Sequence, residues 1–159
     1  MPLTIESSAF QHGSPIPRRH TCDDKDLSPP LRWSGAPEKA RSYALIVDDP
    51  DAPDPAAPKR VYVHWVVYDI PATVTRIEED GEVKAVKAGA RQGKNDWARI
   101  GYGGPCPPIG RHRYFFKLYA LDAMLGDLRT PAKKDLEKGV EGHIIAQAEL
   151  MGTYQRGED

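Results

Sequence analysis

Five side chains in this sequence have the types and spacing that chemistry needs. Asp49 and Asp51 lie in Asp48-Asp49-Pro50-Asp51-Ala52-Pro53, directly after the apolar run Ser42–Val47. His64 sits inside Val61-Tyr62-Val63-His64-Trp65, where an imidazole without a partner would be costly. His112 and Tyr114 follow a loop of glycines and prolines, Gly101-Tyr102-Gly103-Gly104-Pro105-Cys106-Pro107-Pro108-Ile109-Gly110. Glycine lets the backbone approach a ligand, and proline stiffens the loop that presents it. Two imidazoles, a phenol and loop N–H groups make a donor set for a phosphate or carboxylate. Asp49 or Asp51 could bind the far nitrogen of a histidine and fix its tautomer. An imidazolium held so would bind an anion through a charge-assisted hydrogen bond.

Other chemistries find less support. No serine lies in Gly-x-Ser-x-Gly, and neither a P-loop nor a Gly-x-Gly-x-x-Gly fingerprint is present. No cofactor is expected. No His-x-x-x-His or Cys-x-x-Cys pair suggests a metal, although two histidines and an aspartate brought together by the fold could bind one. Hydrolysis remains a rival, with His64 or His112 as general base or Cys106 as nucleophile. The two cysteines, Cys22 and Cys106, read as free thiols in a reducing compartment.

Strands must position these groups. Leu31–Ser34, Ser42–Val47, Val61–Ile70 and Arg113–Leu121 are short runs rich in β-branched and aromatic residues. Strict alternation along the third run would place His64 with Tyr62 and Val66, opposite Val63 and Trp65. The prolines and glycines, 15 and 14 of 159 residues, gather between the runs and favour a β core over a helical bundle. Past Thr130-Pro131, read as N-cap and N1, Leu136, Val140, Ile144 and Met151 fall at helical spacing and predict one helix packed on the sheet.

A net charge of -1, from 22 basic and 23 acidic residues, argues against nucleic acid as a partner. The longest apolar run is too short to span a bilayer, so stable membrane insertion is not expected. Without an export signal at Met1-Pro2-Leu3-Thr4-Ile5-Glu6, the expectation is a cytoplasmic single domain over residues 1–159.

Taken in order, the motifs resemble a known family. Ser28-Pro29-Pro30-Leu31-Arg32-Trp33, Asp49-Pro50-Asp51-Ala52-Pro53, His64-Trp65-Val66-Val67-Tyr68-Asp69-Ile70-Pro71, Gly93-Lys94-Asn95-Asp96, Gly103-Gly104-Pro105-Cys106-Pro107-Pro108, His112-Arg113-Tyr114 and Gly142-His143 together resemble the phosphatidylethanolamine-binding, or Raf kinase inhibitor-like, proteins. The resemblance is to their bacterial and archaeal branch. It implies a mainly β fold: a two-sheet antiparallel β-sandwich with Greek-key connections and a C-terminal helical segment. It also implies a small pocket for phosphate, acetate, cacodylate or a phosphoethanolamine head group. The pocket residues it implies are Asp49, Asp51, His64, Gly104, Pro105, His112 and Tyr114. Cys106 stands in a lining position where eukaryotic members carry proline. The function implied is non-enzymatic binding and regulation, with a kinase or protease as an inhibited partner. Dimerisation is common among bacterial members, and a homodimer is an arrangement that no residue here fixes.

Overall fold

The computed structural model describes residues 2–80 and 89–157. Among the described residues, eight strands form two antiparallel sheets. The smaller holds β1 (Thr4–Glu6), β2 (Leu31–Ser34) and β5 (Arg76–Ile77) in the order β1-β2-β5. The larger holds β3 (Ser42–Ala52), β4 (Arg60–Pro71), β6 (Arg91–Gln92), β7 (His112–Leu121) and β8 (Ile144–Tyr154) in the order β6-β4-β3-β7-β8. After β4 the chain visits the small sheet as β5 and returns beside β4 as β6. It then crosses to the far side of β3 as β7, the long return of a Greek key.

The sheets face each other across one apolar core. Ile5, Leu31 and Trp33 from the small sheet meet Leu45, Val47, Trp65, Val67, Tyr114 and Phe116 from the large one. The central strands are buried on their other face too. There Ala44, Ile46, Val66 and Tyr68 pack under Leu136 and Val140 of the helix α1 (Lys133–Val140). Double burial explains why these strands read as continuous apolar runs rather than alternating ones. Among the described residues, no helix is long and apolar enough to cross a membrane.

Three expectations about local structure need correction. The predicted helix is shorter than its spacing suggested. Ile144 and Met151 lie on β8, which pairs with β7 from His112↔Tyr154 to Leu121↔Ile144. Gly142, at φ +78, turns the chain after α1, and spacing alone could not separate the next strand from a continued helix. The helix also starts later than Thr130-Pro131. Arg129 and Thr130 both have positive φ, and Ala132 is the N-cap. The Asp135 carboxylate accepts the Ala132 N–H at 3.1 Å, and alanine has no side-chain oxygen to return the bond. Finally, Asp48-Asp49-Pro50-Asp51 does not follow a strand. It lies within β3, which runs on to Ala52 through irregular register against β4.

Residues 12–16 run beside the end of β8. Gly13 N–H donates to the Met151 carbonyl at 2.6 Å and Ile16 N–H to the Thr153 carbonyl at 2.7 Å. In return, Met151 N–H reaches His12 Nδ1 at 3.0 Å and Thr153 N–H the Ser14 carbonyl at 3.0 Å.

Candidate functional site

The site lies where β3, β4 and β7 meet the loop before β7. Asp49, His64, Cys106, His112 and Tyr114 line one cavity of about 370 Å³, joined by Arg60, Tyr62 and Trp97 and by Ala52, Pro53, Pro107 and Pro108. Five of the eight residues expected at the site therefore meet there. Asp51, Gly104 and Pro105 do not line it.

His64 is placed by a bulge. Val47 pairs with Trp65 and Asp48 with Val63, so His64 is the extra residue between two aligned pairs. The bulge breaks the alternation expected from the sequence. His64 does stay beside Tyr62, with ring centroids 5.5 Å apart, but Val66 turns to the helix-covered face with Val63. The imidazole instead meets Trp97 at 4.9 Å and Tyr114 at 5.2 Å, edge to face.

The loop fixes its tautomer. His64 Nδ1 lies 2.7 Å from the Gly103 carbonyl, which can only accept, so Nδ1 carries the hydrogen. The Gly103 N–H donates back to the His64 carbonyl at 3.0 Å. A Cβ at Gly103 would stand 2.3 Å from the Trp97 ring, so only glycine lets the loop pass against that ring. Desolvation by burial is the main reason that the His64 pKa is pushed down to about 4. The imidazole is therefore neutral at neutral pH, with Nε2 as a lone-pair acceptor.

This depressed pKa sets a stability window. Between the unfolded value of about 6.5 and the folded value of about 4, the unfolded chain binds the proton and the native one does not. Stability from this group is complete above about pH 6.5 and is lost as pH falls toward 4. The loss is on the order of 3 kcal/mol for His64. His20, which is also buried, shifts in the same direction, chiefly through desolvation. Urea unfolding at pH 7 and pH 4.5 should give a lower midpoint at pH 4.5, and His64→Phe should flatten that dependence.

His112 plays a different part from the one expected. Its Nε2–H donates to the Ile109 carbonyl at 2.9 Å, and its Nδ1 shares a proton with Asp49 Oδ2 at 2.6 Å. Both nitrogens are occupied, so the ring meets the cavity through its face and edge. Asp49 Oδ1 accepts the Asp51 N–H at 2.7 Å. Burial raises the Asp49 pKa against the pull of His112. Whichever partner holds the shared proton, the pair carries no net charge.

Asp51 supports the site from behind. Its carboxylate takes Arg113 Nε at 3.0 Å, Nη2 at 2.8 Å and the Arg113 N–H at 2.9 Å, and the guanidinium holds its pKa down. It thus pins the start of β7 rather than orienting an imidazole.

Gly104 and Pro105 are turned toward residues 20–26. The Gly104 N–H donates to Asp26 Oδ1 at 2.8 Å, and the Pro105 carbonyl accepts the Cys22 N–H at 3.1 Å. The two loop N–H groups of Gly103 and Gly104 are therefore already engaged. Beside them Cys22 and Cys106 form a disulfide, with Cα atoms 5.4 Å apart. The expectation of free thiols is corrected by this bond. The residues are 84 apart in sequence, and nothing in their local spacing signals that the fold brings them together. A Cys106 thiolate is not available while the bond is intact.

Tyr114 carries the most telling group. It is 1% exposed, and its hydroxyl makes no hydrogen bond of good geometry, although the Asp49 carboxylate is near enough to act on it. Burial, and then the charge of Asp49, push its pKa far up, so it remains an O–H donor at any ordinary pH. Seven lining residues were not among those expected: Ala52, Pro53, Pro107 and Pro108, and the larger Arg60, Tyr62 and Trp97. Arg60 lies 4.8 Å over the Tyr62 ring and reaches Asp96 Oδ2 at 3.2 Å. Tyr62 and Trp97 then form a wall, their centroids 4.8 Å apart. Tyr62 was legible as a neighbour of His64 from its i−2 spacing. Trp97 was not, because its position depends on Asn95, whose Oδ1 accepts the Trp97 N–H at 3.0 Å and the Arg99 N–H at 3.2 Å. Among the described residues, no group of three His, Cys, Asp or Glu side chains is placed to hold a metal ion.

The sequence profile of the phosphatidylethanolamine-binding proteins matches residues 6–155. This chain belongs to that family. A UPF0098 protein of Methanothermobacter thermautotrophicus is 45% identical over 156 residues, covering 98% of this chain and all of that one. The phosphatidylethanolamine-binding protein homologue CT736 of Chlamydia trachomatis superposes with a TM-score of 0.89 at 41% identity, covering 98% of both chains. Escherichia coli YbcL, of the same family, gives 0.85 at 33% identity over 98% of this chain and 99% of that one. A carboxypeptidase Y inhibitor shares the fold alone, at 20% identity and a TM-score of 0.57. The solved relatives share the two-sheet architecture seen here, in which β3, β4 and β7 carry Asp49-Pro50-Asp51, His64-Trp65 and His112-Arg113-Tyr114.

Proposed function

We propose that this family member is a binding protein rather than an enzyme, and that its cavity takes a small oxyanion, free or displayed on a phosphorylated partner. One observation carries the reading: a single pre-formed cavity brings together an unpaired donor, the Tyr114 hydroxyl, and a lone-pair acceptor, His64 Nε2. Buried polar groups are normally partnered, and a ligand oxygen supplies what the Tyr114 hydroxyl lacks. Arg60, at the mouth, adds a guanidinium for an anionic group. Asp49 and His112 shape the wall, and Cys106 fixes the loop opposite. Regulation of a kinase or protease would follow from masking a phosphorylated or carboxylate-bearing segment. A cytoplasmic location belongs to the proposal as well, and there the Cys22–Cys106 bond must resist the thiol pool.

Tyr114→Phe tests the reading with two readouts. Losing a hydroxyl that has no partner should leave the unfolding midpoint unchanged or slightly higher, because no bond is broken. Affinity for inorganic phosphate, followed by NMR titration, should fall about tenfold, the value of a net hydrogen bond of roughly 1.4 kcal/mol. Equal affinity in the two proteins would remove Tyr114 from the site. Absence of any phosphate-induced shift in the unmodified protein would dispose of the oxyanion reading.

A further inference from the structure

The cavity lacks the positive charge that a fully ionised phosphate needs. The Asp49–His112 pair is neutral as a unit, since one proton serves both partners whichever holds it. Asp48 and Asp96 lie near enough to act on His64, and both are acidic. Arg60 is the one cation that lines the cavity among the described residues, and Asp96 already accepts from it. His64 itself brings no charge. Its Nδ1–H is committed to the Gly103 carbonyl, with the Gly104 carbonyl also close, and burial keeps the ring neutral. What His64 offers a ligand is a lone pair. What Tyr114 offers is a hydrogen.

An oxyanion stripped of all its protons matches half of this arrangement. It can accept from Tyr114, but its oxygens and the Nε2 lone pair repel. An oxyacid that keeps one O–H matches both. We infer that the pocket captures its ligand as a protonated oxyacid, a phosphomonoester monoanion whose acidic O–H donates to His64 Nε2 while another of its oxygens accepts from Tyr114. The inference rests on the oxyanion reading and names the protonation state that reading leaves open. Apolar walls from Pro53, Pro107, Pro108 and Trp97 are suited to the low charge of such a ligand and to the ester carbon behind it.

A proton balance follows. A phosphomonoester loses its second proton near pH 6. At pH 8 the free ligand is the dianion, so each binding event takes one proton from the buffer. At pH 5 the free ligand already carries that proton, and uptake approaches zero. The monoanion is about half of the ligand at pH 6 and about one part in a hundred at pH 8, so apparent affinity weakens about fifty-fold between them.

Isothermal titration of the intact, disulfide-bonded protein with methyl phosphate tests this. Titrations at pH 8 and pH 5, each in two buffers of different ionisation enthalpy, count the protons taken up. Dimethyl phosphate, a monoanion with no proton to give, is the comparison ligand at pH 5. The expected result is about one proton per ligand at pH 8, almost none at pH 5, and binding of dimethyl phosphate at least about tenfold weaker than that of methyl phosphate. Binding of methyl phosphate at pH 8 without proton uptake, or equal binding of the diester at pH 5, would overturn the inference and leave the oxyanion site standing. No binding of methyl phosphate at either pH would bring down the oxyanion reading and this inference together.

Discussion

Removing the Cys22–Cys106 disulfide should lower the melting temperature by roughly 10–15 °C. The bond joins residues 84 apart, and closing a loop of that length restricts the unfolded chain by about 4–5 kcal/mol in the chain-entropy account. In a chain of 159 residues, each kcal/mol moves the melting temperature by about 2–4 °C. The folded state loses less, because other contacts hold the same two segments together. Tyr102 donates its hydroxyl to the His20 carbonyl at 2.7 Å, and Gly104 N–H holds Asp26 at 2.8 Å. The effect should therefore appear in stability while the cavity keeps its shape. Calorimetry on a Cys22→Ala/Cys106→Ala double variant, and on the unmodified protein with dithiothreitol, checks this. A melting temperature within about 2 °C of the oxidised protein would show that the bond constrains nothing the fold does not already hold.

Asp49→Ala should be the most damaging single substitution at the site, at about 3–5 kcal/mol. The carboxylate is 2% exposed and serves two donors, His112 Nδ1 at 2.6 Å and the Asp51 N–H at 2.7 Å. Alanine strands both. It leaves a fully buried imidazole with a nitrogen and no partner, and an amide N–H beside it. Asp49→Asn keeps one acceptor oxygen, puts an amide donor in place of the other and cannot balance an imidazolium, so its cost should fall to about 1–3 kcal/mol. By comparison, Asp51 faces a guanidinium that is half exposed, and water can replace its bonds. Urea unfolding of Asp49→Ala, Asp49→Asn and Asp51→Ala should rank them in that order. A loss below about 1 kcal/mol for Asp49→Ala would mean that the pair is not the strut the geometry describes.

Much of this architecture was legible because burial on both faces writes itself into the sequence. Ser42–Val47, Val61–Ile70 and Arg113–Leu121 are mostly apolar, and they lie in the three strands at the centre of the large sheet. The pocket residues on them were legible for the same reason. His64 and Tyr114 are polar groups inside such runs, and Asp49 and His112 stand just beyond the ends of two of them. What escaped was set by distant chain or by geometry within one residue. The bulge at His64 shifts register by a single position and moves Val66 to the opposite face. The edge strand β8 carries side chains at a spacing that also fits a helix, and only its pairing with β7 decides between them. His112 departs from the donor expected of both imidazoles for a similar reason: the Ile109 carbonyl and Asp49 saturate its nitrogens, and neither bond has a local sequence signature.

The stretch of residues 12–16 beside β8 has a further consequence. An outermost strand offers its unused amides and carbonyls to any passing chain, and natural sheets usually blunt such margins. Here the blunting falls over Met151–Thr153. These residues pair with Phe115 and Arg113, while Gly152 between them pairs with Tyr114. Gly152 is what lets the cover lie so close, since a Cβ there would stand 2.5 Å from Ile16 and 2.7 Å from Phe10. A second molecule adding itself to this margin would first have to peel that stretch away. It would then lie one strand from the pocket. The same few residues therefore cover the end of β8 that lies beside Arg113, Tyr114 and Phe115.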